Sequence, residues 1–405
     1  MYAFEPQPRQ CSSGEKLSQK TDARLLIASR AFALAASLIF ALTYSKDLGL
    51  ERRSIITAIL VLSYFTCALL TAGLNLAFRR ISSTTENKNA GNSFASLSLI
   101  LAFICSLVTY CFLTVFSFYK EPIPRNLVIV SLLYSFFACL DNSGFEGSIC
   151  NKKIKETAAI LTITLTLQVS SYLLLEKTQV FTIAVNVLLS YLMGYSFSSI
   201  SYYIINKPKF DLTEINFMIR ESLHDLLYAL TLNLIDRIDK IIIVALLPLA
   251  SISKISMALT IYSLLRFLPD IQTRLLMLNM HIGLNMQVLI KFSRYLLPLT
   301  LLFIYPVAIT YNFIVGKLLG MEWQITEFLL SLLAIQELFR GYFQYSNVKF
   351  IKMNSGADKI KMAIWSMCIF TLFCFVSTLF LAEWGVPIGM IFAYSLTAYM
   401  VKSRA

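Results

Sequence analysis

The chain has 405 residues, of which 57% are hydrophobic and only 14% charged, a balance too apolar for a water-soluble domain. Its formal charge of +12 is scattered in short clusters between apolar runs, so it marks membrane topology and argues against nucleic acid as a partner. The eight cysteines form no CxxC pair, and six of them (Cys67, Cys105, Cys111, Cys139, Cys368, Cys374) fall inside apolar runs, where a thiol behaves as a small hydrophobe. His224 and His281 have no second His or carboxylate cluster at metal-ligand spacing. No metal or other cofactor is expected.

Residues 1–23 are polar, carry Pro6 and Pro8 and lack an apolar core, so they read as a cytoplasmic tail and not as a cleavable signal. A helical span of the bilayer core takes roughly 20 apolar residues, and stretches of that length then recur to the end of the chain. They predict spans at 25–44, 54–76, 94–117, 126–145, 157–175, 179–204, 221–248, 253–271, 295–316, 325–346, 362–382 and 386–402. The expected fold is an all-α integral membrane protein of about 12 transmembrane helices.

Basic residues are retained on the cytoplasmic side during insertion, which makes orientation a matter of counting Lys and Arg in alternate connections. Segments on the side of the N-terminus hold 23 of them and segments on the opposite side hold 8, with Arg30, Arg237, Lys240 and Arg340 inside spans. Both termini are therefore expected in the cytoplasm. Connections are short, and there is no GxxxxGK phosphate loop, so any energy source is an ion gradient, the substrate gradient or a partner.

A faint repeat appears when the chain is cut near residue 210. Residues 48–58, Leu48-Gly49-Leu50-Glu51-Arg52-Arg53-Ser54-Ile55-Ile56-Thr57-Ala58, match in placement residues 248–258, Pro248-Leu249-Ala250-Ser251-Ile252-Ser253-Lys254-Ile255-Ser256-Met257-Ala258. The expected organisation is a tail (1–23), a six-helix half (24–205), a cytoplasmic linker (206–220) and a second six-helix half (221–405), a shape found in many transporters.

Charge within the hydrocarbon costs roughly 2.5 to 3.5 kcal/mol per residue at a helix centre, so such residues face the bundle interior or a wet cavity. The seventh span is the richest. On one continuous helix, Glu221, Asp225, Asn233, Asp236, Asp239 and Lys240 fall within an arc of roughly 120° and form a polar stripe, with Arg237 to the side. Either the stripe lines a cavity or its charges neutralise one another and lock packing; Asp236 and Lys240, four apart, have the order of a helical ion pair.

Elsewhere Arg30 lies about 9 Å from the inner end of the first span, where it either snorkels or lines the cavity. Arg266 and Asp270 read as interfacial anchors or ligands. Glu337 and Arg340, with Gln336 beside them, read as a local pair sealing the bundle or as cavity residues. Asp141 and Glu146 look interfacial, Pro298 and Pro306 predict a kink in the ninth span, and Gly385 and Gly389 form a GxxxG of the kind that packs helices.

The stretch from Ala41 to Arg80, with Leu48-Gly49-Leu50-Glu51-Arg52-Arg53-Ser54 as its short outer connection and Gly73-Leu74-Asn75-Leu76-Ala77-Phe78-Arg79 closing the second helix, resembles the opening of polysaccharide flippases of the Wzx type, in the multidrug/oligosaccharidyl-lipid/polysaccharide exporter superfamily. Asp236-Arg237-Ile238-Asp239-Lys240-Ile241-Ile242 looks like that family's "DR.ii" segment, although Ser54, Ser253 and Ile255 replace residues usual in its turns. The resemblance implies a MATE-like pair of pseudo-symmetric halves in a bacterial inner membrane. It also implies transfer of an undecaprenyl-pyrophosphate-linked oligosaccharide between leaflets, for O-antigen or other surface polysaccharide, with other polysaccharide-assembly proteins as partners. Family members line their cavity with basic residues; Arg30, Arg237, Lys240 and Arg266 match by position, and Asp225, Asn233, Asp236, Asp239, Glu337 and Arg340 accompany them.

Two rivals remain at this level. A drug exporter of the same fold would have a narrower, acidic cavity. A membrane-embedded polymerase or acyltransferase calls for a large external loop or an intramembrane His with polar partners, and neither is visible. The expected class is a transporter and not an enzyme.

Overall fold

The computed structural model describes residues 13–84, 88–151, 153–178, 181–211, 213–266, 286–353 and 356–403. All regular structure among them is helical. With no water in the hydrocarbon to satisfy N–H and C=O groups, a lipid-exposed chain this apolar closes its hydrogen bonds within helices.

In chain order the α-helices are α1 (Ser13–Thr84), α2 (Lys88–Tyr119), α3 (Arg125–Cys150), α4 (Ile154–Thr178), α5 (Ile183–Asn206), α6 (Ile215–Ile235), α7 (Ile238–Leu246), α8 (Leu249–Tyr262), α9 (Met286–Leu319), α10 (Glu327–Met353), α11 (Gly356–Leu381) and α12 (Gly385–Ser403). Short 3-10 turns lie at Ser263–Arg266, Met321–Trp323 and Ala382–Trp384. Each expected span falls mainly on one of these helices, on an arm of α1, or on a consecutive pair; residues 179–180 of the sixth span and 267–271 of the eighth lie outside the described residues. Seven stretches among the described residues are long and apolar enough to cross a membrane, including Ile27–Arg79 and Lys361–Met400.

The two arms of α1, 13–48 and 50–84, meet at Gly49, whose φ of 68° and ψ of −179° lie in a region essentially open to glycine alone. Ser37 and Val61 stand at equal distance from Gly49 and line the same cavity, whereas a straight helix would separate them by about 36 Å. The arms therefore fold back on each other.

Helices α1 to α5 pack among themselves, as do α9 with α10 and α10 and α11 with α12; α6 lies against both α1 and α11, and α8 against α1 and α10. Two close approaches depend on glycine. A Cβ on Gly73 would stand 2.6 Å from the Ser222 carbonyl and 3.0 Å from Leu226 Cα, so the motif glycine of α1 lets α6 seat. A Cβ on Gly389 would stand 2.6 Å from the Phe373 carbonyl, which shows the GxxxG packing α12 onto α11. Through Pro298 and Pro306, α9 runs as a single helix.

Candidate functional site

Where one long seventh helix was expected, the chain makes two. The helix stops at Ile235, Arg237 adopts φ −130° and ψ −6°, and α7 starts at Ile238. The uninterrupted stripe from Glu221 to Lys240 is thereby corrected, since Asn233 belongs to α6 and Asp239 and Lys240 to α7. Long-range partners replace helical continuity at this point. Arg237 places its guanidinium 3.7 Å from the Tyr64 ring centroid on α1, a cation–π contact. Asn233 Nδ2 donates to the Ala68 carbonyl on the same arm at 3.4 Å.

Asp239 is fully buried and forms an ion pair with Arg340 of α10. The Arg340 guanidinium, itself buried, also donates to Glu337 Oε1 at 2.7 Å and to the Tyr394 hydroxyl of α12 at 2.8 Å, and lies 3.9 Å from Asp236 Oδ1. Gln336 Nε2 donates to Asp239 Oδ2 at 2.8 Å. Charges this far from water persist only when paired and hydrogen-bonded, and the planar fork of arginine serves several acceptors at once. The i,i+3 pair of Glu337 and Arg340 is present, but sequence reasoning did not see that its main acid is Asp239, 101 positions away.

Lys240, Glu337 and Arg340 line a cavity of about 270 Å³ between both arms of α1, α5, α7, α8 and α10. A fourth charged residue lining it, Arg53, was missed. In the sequence Arg53 counts as a cation of an outer connection, yet it is 2% exposed. Its Nη1 donates to the Ser253 carbonyl at 2.8 Å and its guanidinium lies 5.2 Å from the ring centroid of the buried Trp323. No carboxylate among the described residues pairs with it, and its Nε has no hydrogen-bond partner. The usable signal was the repeat, which sets Arg53 opposite Ser253.

Hydrogen bonds tie neighbouring elements together at the end of the bundle holding Gly49. Ser253 Oγ donates to the Leu50 carbonyl at 2.5 Å, Lys120 Nζ to the Leu247 carbonyl at 3.0 Å and the Tyr172 hydroxyl to Asp47 Oδ2 at 2.5 Å, while Ser251 bonds Glu383.

The remaining expected residues are not gathered here. Arg30 sets its guanidinium 4.6 Å from the Phe145 ring centroid of α3 and is not among the residues lining this cavity. Glu146 is buried, and the Arg79 fork grips it with Nε 2.5 Å from Oε2. Asp141 accepts a hydrogen bond from Ser198. The side chains of Asp225, His224 and Arg266, and the whole of Asp270 and His281, lie outside the described residues. Among those described, no group of three or more His, Cys, Asp or Glu is placed to hold a metal ion.

Chemically, the cavity is suited to an anion. Arg340 is compensated by Asp239 and Glu337, whereas the buried Arg53 offers a cation with no acidic partner to whatever enters.

No family model and no curated protein matches the chain. Solved structures do match in fold. An outward-facing conformation of a multidrug resistance MATE family transporter of the MOP superfamily is 14% identical at a TM-score of 0.62, covering 98% of each chain. An inward-facing conformation of such a transporter gives 14% and 0.63, over 94% of this chain and 98% of the other. The lipid II flippase MurJ, in an inward closed conformation, gives 13% and 0.67, over 94% of this chain and 87% of the other. Across nearly its whole length the chain has the fold of these membrane proteins.

Proposed function

We propose that this chain moves an undecaprenyl-pyrophosphate-linked oligosaccharide from the inner to the outer leaflet of a bacterial inner membrane, supplying O-antigen or another surface polysaccharide. The two six-helix halves, 24–205 and 221–405, would open the cavity alternately to either side, with both termini in the cytoplasm and the lipid tail left in the bilayer. The supporting observation is the acid-free, buried Arg53 on a cavity that also holds Lys240. An anionic pyrophosphate in a low-dielectric path requires charge-assisted donors, and these supply them. A shared fold with a lipid II flippase is consistent with a lipid-linked cargo. Export of cationic drugs by the same fold fits less well, because Asp239 and Glu337 are already engaged by Arg340.

Deletion of the gene is expected to trap lipid-linked oligosaccharide in the inner leaflet. Wild type should restore surface polysaccharide, and an Arg237→Ala/Lys240→Ala variant, expressed at normal level, should not. Full output from that variant overturns the anion-guiding role of α7.

A further inference from the structure

A second and larger cavity, of about 970 Å³, lies apart from the first and shares no lining residue with it. It is framed by the ends of α1, α2, α3 and α5 and by the connection 207–211. Its lining is amphipathic and includes both the stacked rings of Phe78 and Phe94, with centroids 4.1 Å apart, and Ser143. Ser143 is 1% exposed and its buried hydroxyl has no hydrogen-bond partner, an orphan that a polar ligand would satisfy.

The connection at the cavity's rim is fastened in place. Lys207 holds a left-handed φ of 45° that turns the chain after α5. Asn92 Oδ1 accepts from the Lys209 amide at 2.9 Å, and Ser96 Oγ accepts from the Asp211 amide at 3.0 Å. Lys207 and Lys209 border the cavity, are exposed and form no ion pair among the described residues. Close to them in the chain, Ile200 and Ile204 on the last turns of α5 and Phe210 are each more than half exposed, as are residues that meet lipid.

From this we infer that the cavity is a binding site for the headgroup of an anionic membrane phospholipid. The phosphate is held by Lys207 and Lys209, headgroup hydroxyls reach Ser143, and the acyl chains run out over Ile200 and Ile204. Basic pockets between transmembrane helices at a membrane face take such headgroups. The site is independent of the central cavity and of the function proposed for it.

The test uses the full chain purified in detergent and native mass spectrometry with three probes: phosphatidylglycerol, phosphatidylcholine and inorganic phosphate. Phosphatidylglycerol is expected to be retained and phosphatidylcholine not. A Lys207→Gln/Lys209→Gln variant should bind phosphatidylglycerol roughly twenty-five-fold more weakly, about five-fold for each lysine. Gly91 borders the cavity, and a Cβ built there meets nothing within 4 Å, so Gly91→Phe should fill the space and abolish retention without disturbing the melting curve. Equal retention of both lipids, undiminished binding by the double-lysine variant, or full binding by Gly91→Phe each overturns the site. Displacement of the lipid by millimolar inorganic phosphate assigns the cavity to a soluble phosphate compound and overturns the lipid as its occupant.

Discussion

Arg53 and Ser253 stand at corresponding places in the similar segments 48–58 and 248–258, and they bond to each other: Arg53 Nη1 donates to the Ser253 carbonyl at 2.8 Å. Ser253 Oγ in turn donates to the Leu50 carbonyl. The two segments thus meet at equivalent positions. Arg53→Gln retains a donor for the Ser253 carbonyl while removing the charge. Stability should fall by only about 1 kcal/mol, the net worth of an ordinary hydrogen bond. Surface polysaccharide output should drop about tenfold or more, on the scale of a lost charge-assisted bond. Unfolding midpoint and polysaccharide yield, measured together, separate the two effects; wild-type output would remove Arg53 from the substrate path.

Arg340→Ala strands Asp239 and Glu337 in the interior. Removing one partner of a buried ion pair costs roughly 3 to 5 kcal/mol, so the variant should express poorly or melt early. Neutralising both acids as well, in Arg340→Met/Asp239→Asn/Glu337→Gln, should recover most of the loss. A triple variant as unstable as the single one would show that packing, not charge, sets the cost.

Gly73→Leu should force α6 away from α1, with an overpacking cost of about 1 to 3 kcal/mol. Gly91→Ala is the control, because its Cβ enters open space. Thermal unfolding of the two variants in detergent reads the difference; equal midpoints would contradict the tight approach at Gly73.

Gly49→Ala places a Cβ on a backbone conformation that only glycine adopts readily, at a cost of about 1 to 3 kcal/mol, although no neighbouring atom crowds it. The destabilisation should appear in the unfolding midpoint and should not be relieved by trimming side chains nearby. An unchanged midpoint would mean that the turn relaxes.

Helix placement was legible in the sequence because it depends on local hydrophobic length, and Gly49 and Gly73 were visible as motif positions before their geometry was. The interruption at Asp236 and Arg237 was not legible, since an Asp-Arg pair is compatible with a helix until Tyr64 and Arg340 compete for it. The same limit hid the acid of Arg340 and the burial of Arg53. A positive-inside count treats Arg53 as a loop cation, and only Ser253 and Trp323, distant in the chain, draw it inward. The Arg79 fork that partners Glu146 was hidden in the same way, because it comes from another element.

Because the Arg340 guanidinium bonds to α7, α10 and α12, those three helices share any load: displacing one drags on the others before any charge reaches water. Just upstream of Asp239, at Asp236 and Arg237, the i→i−4 ladder is interrupted, and bending there meets little resistance. Stiffness and compliance thus lie within one turn of each other. A tilt of α6 would be taken up first at that joint, while the Arg340 bonds hold α7 to its neighbours.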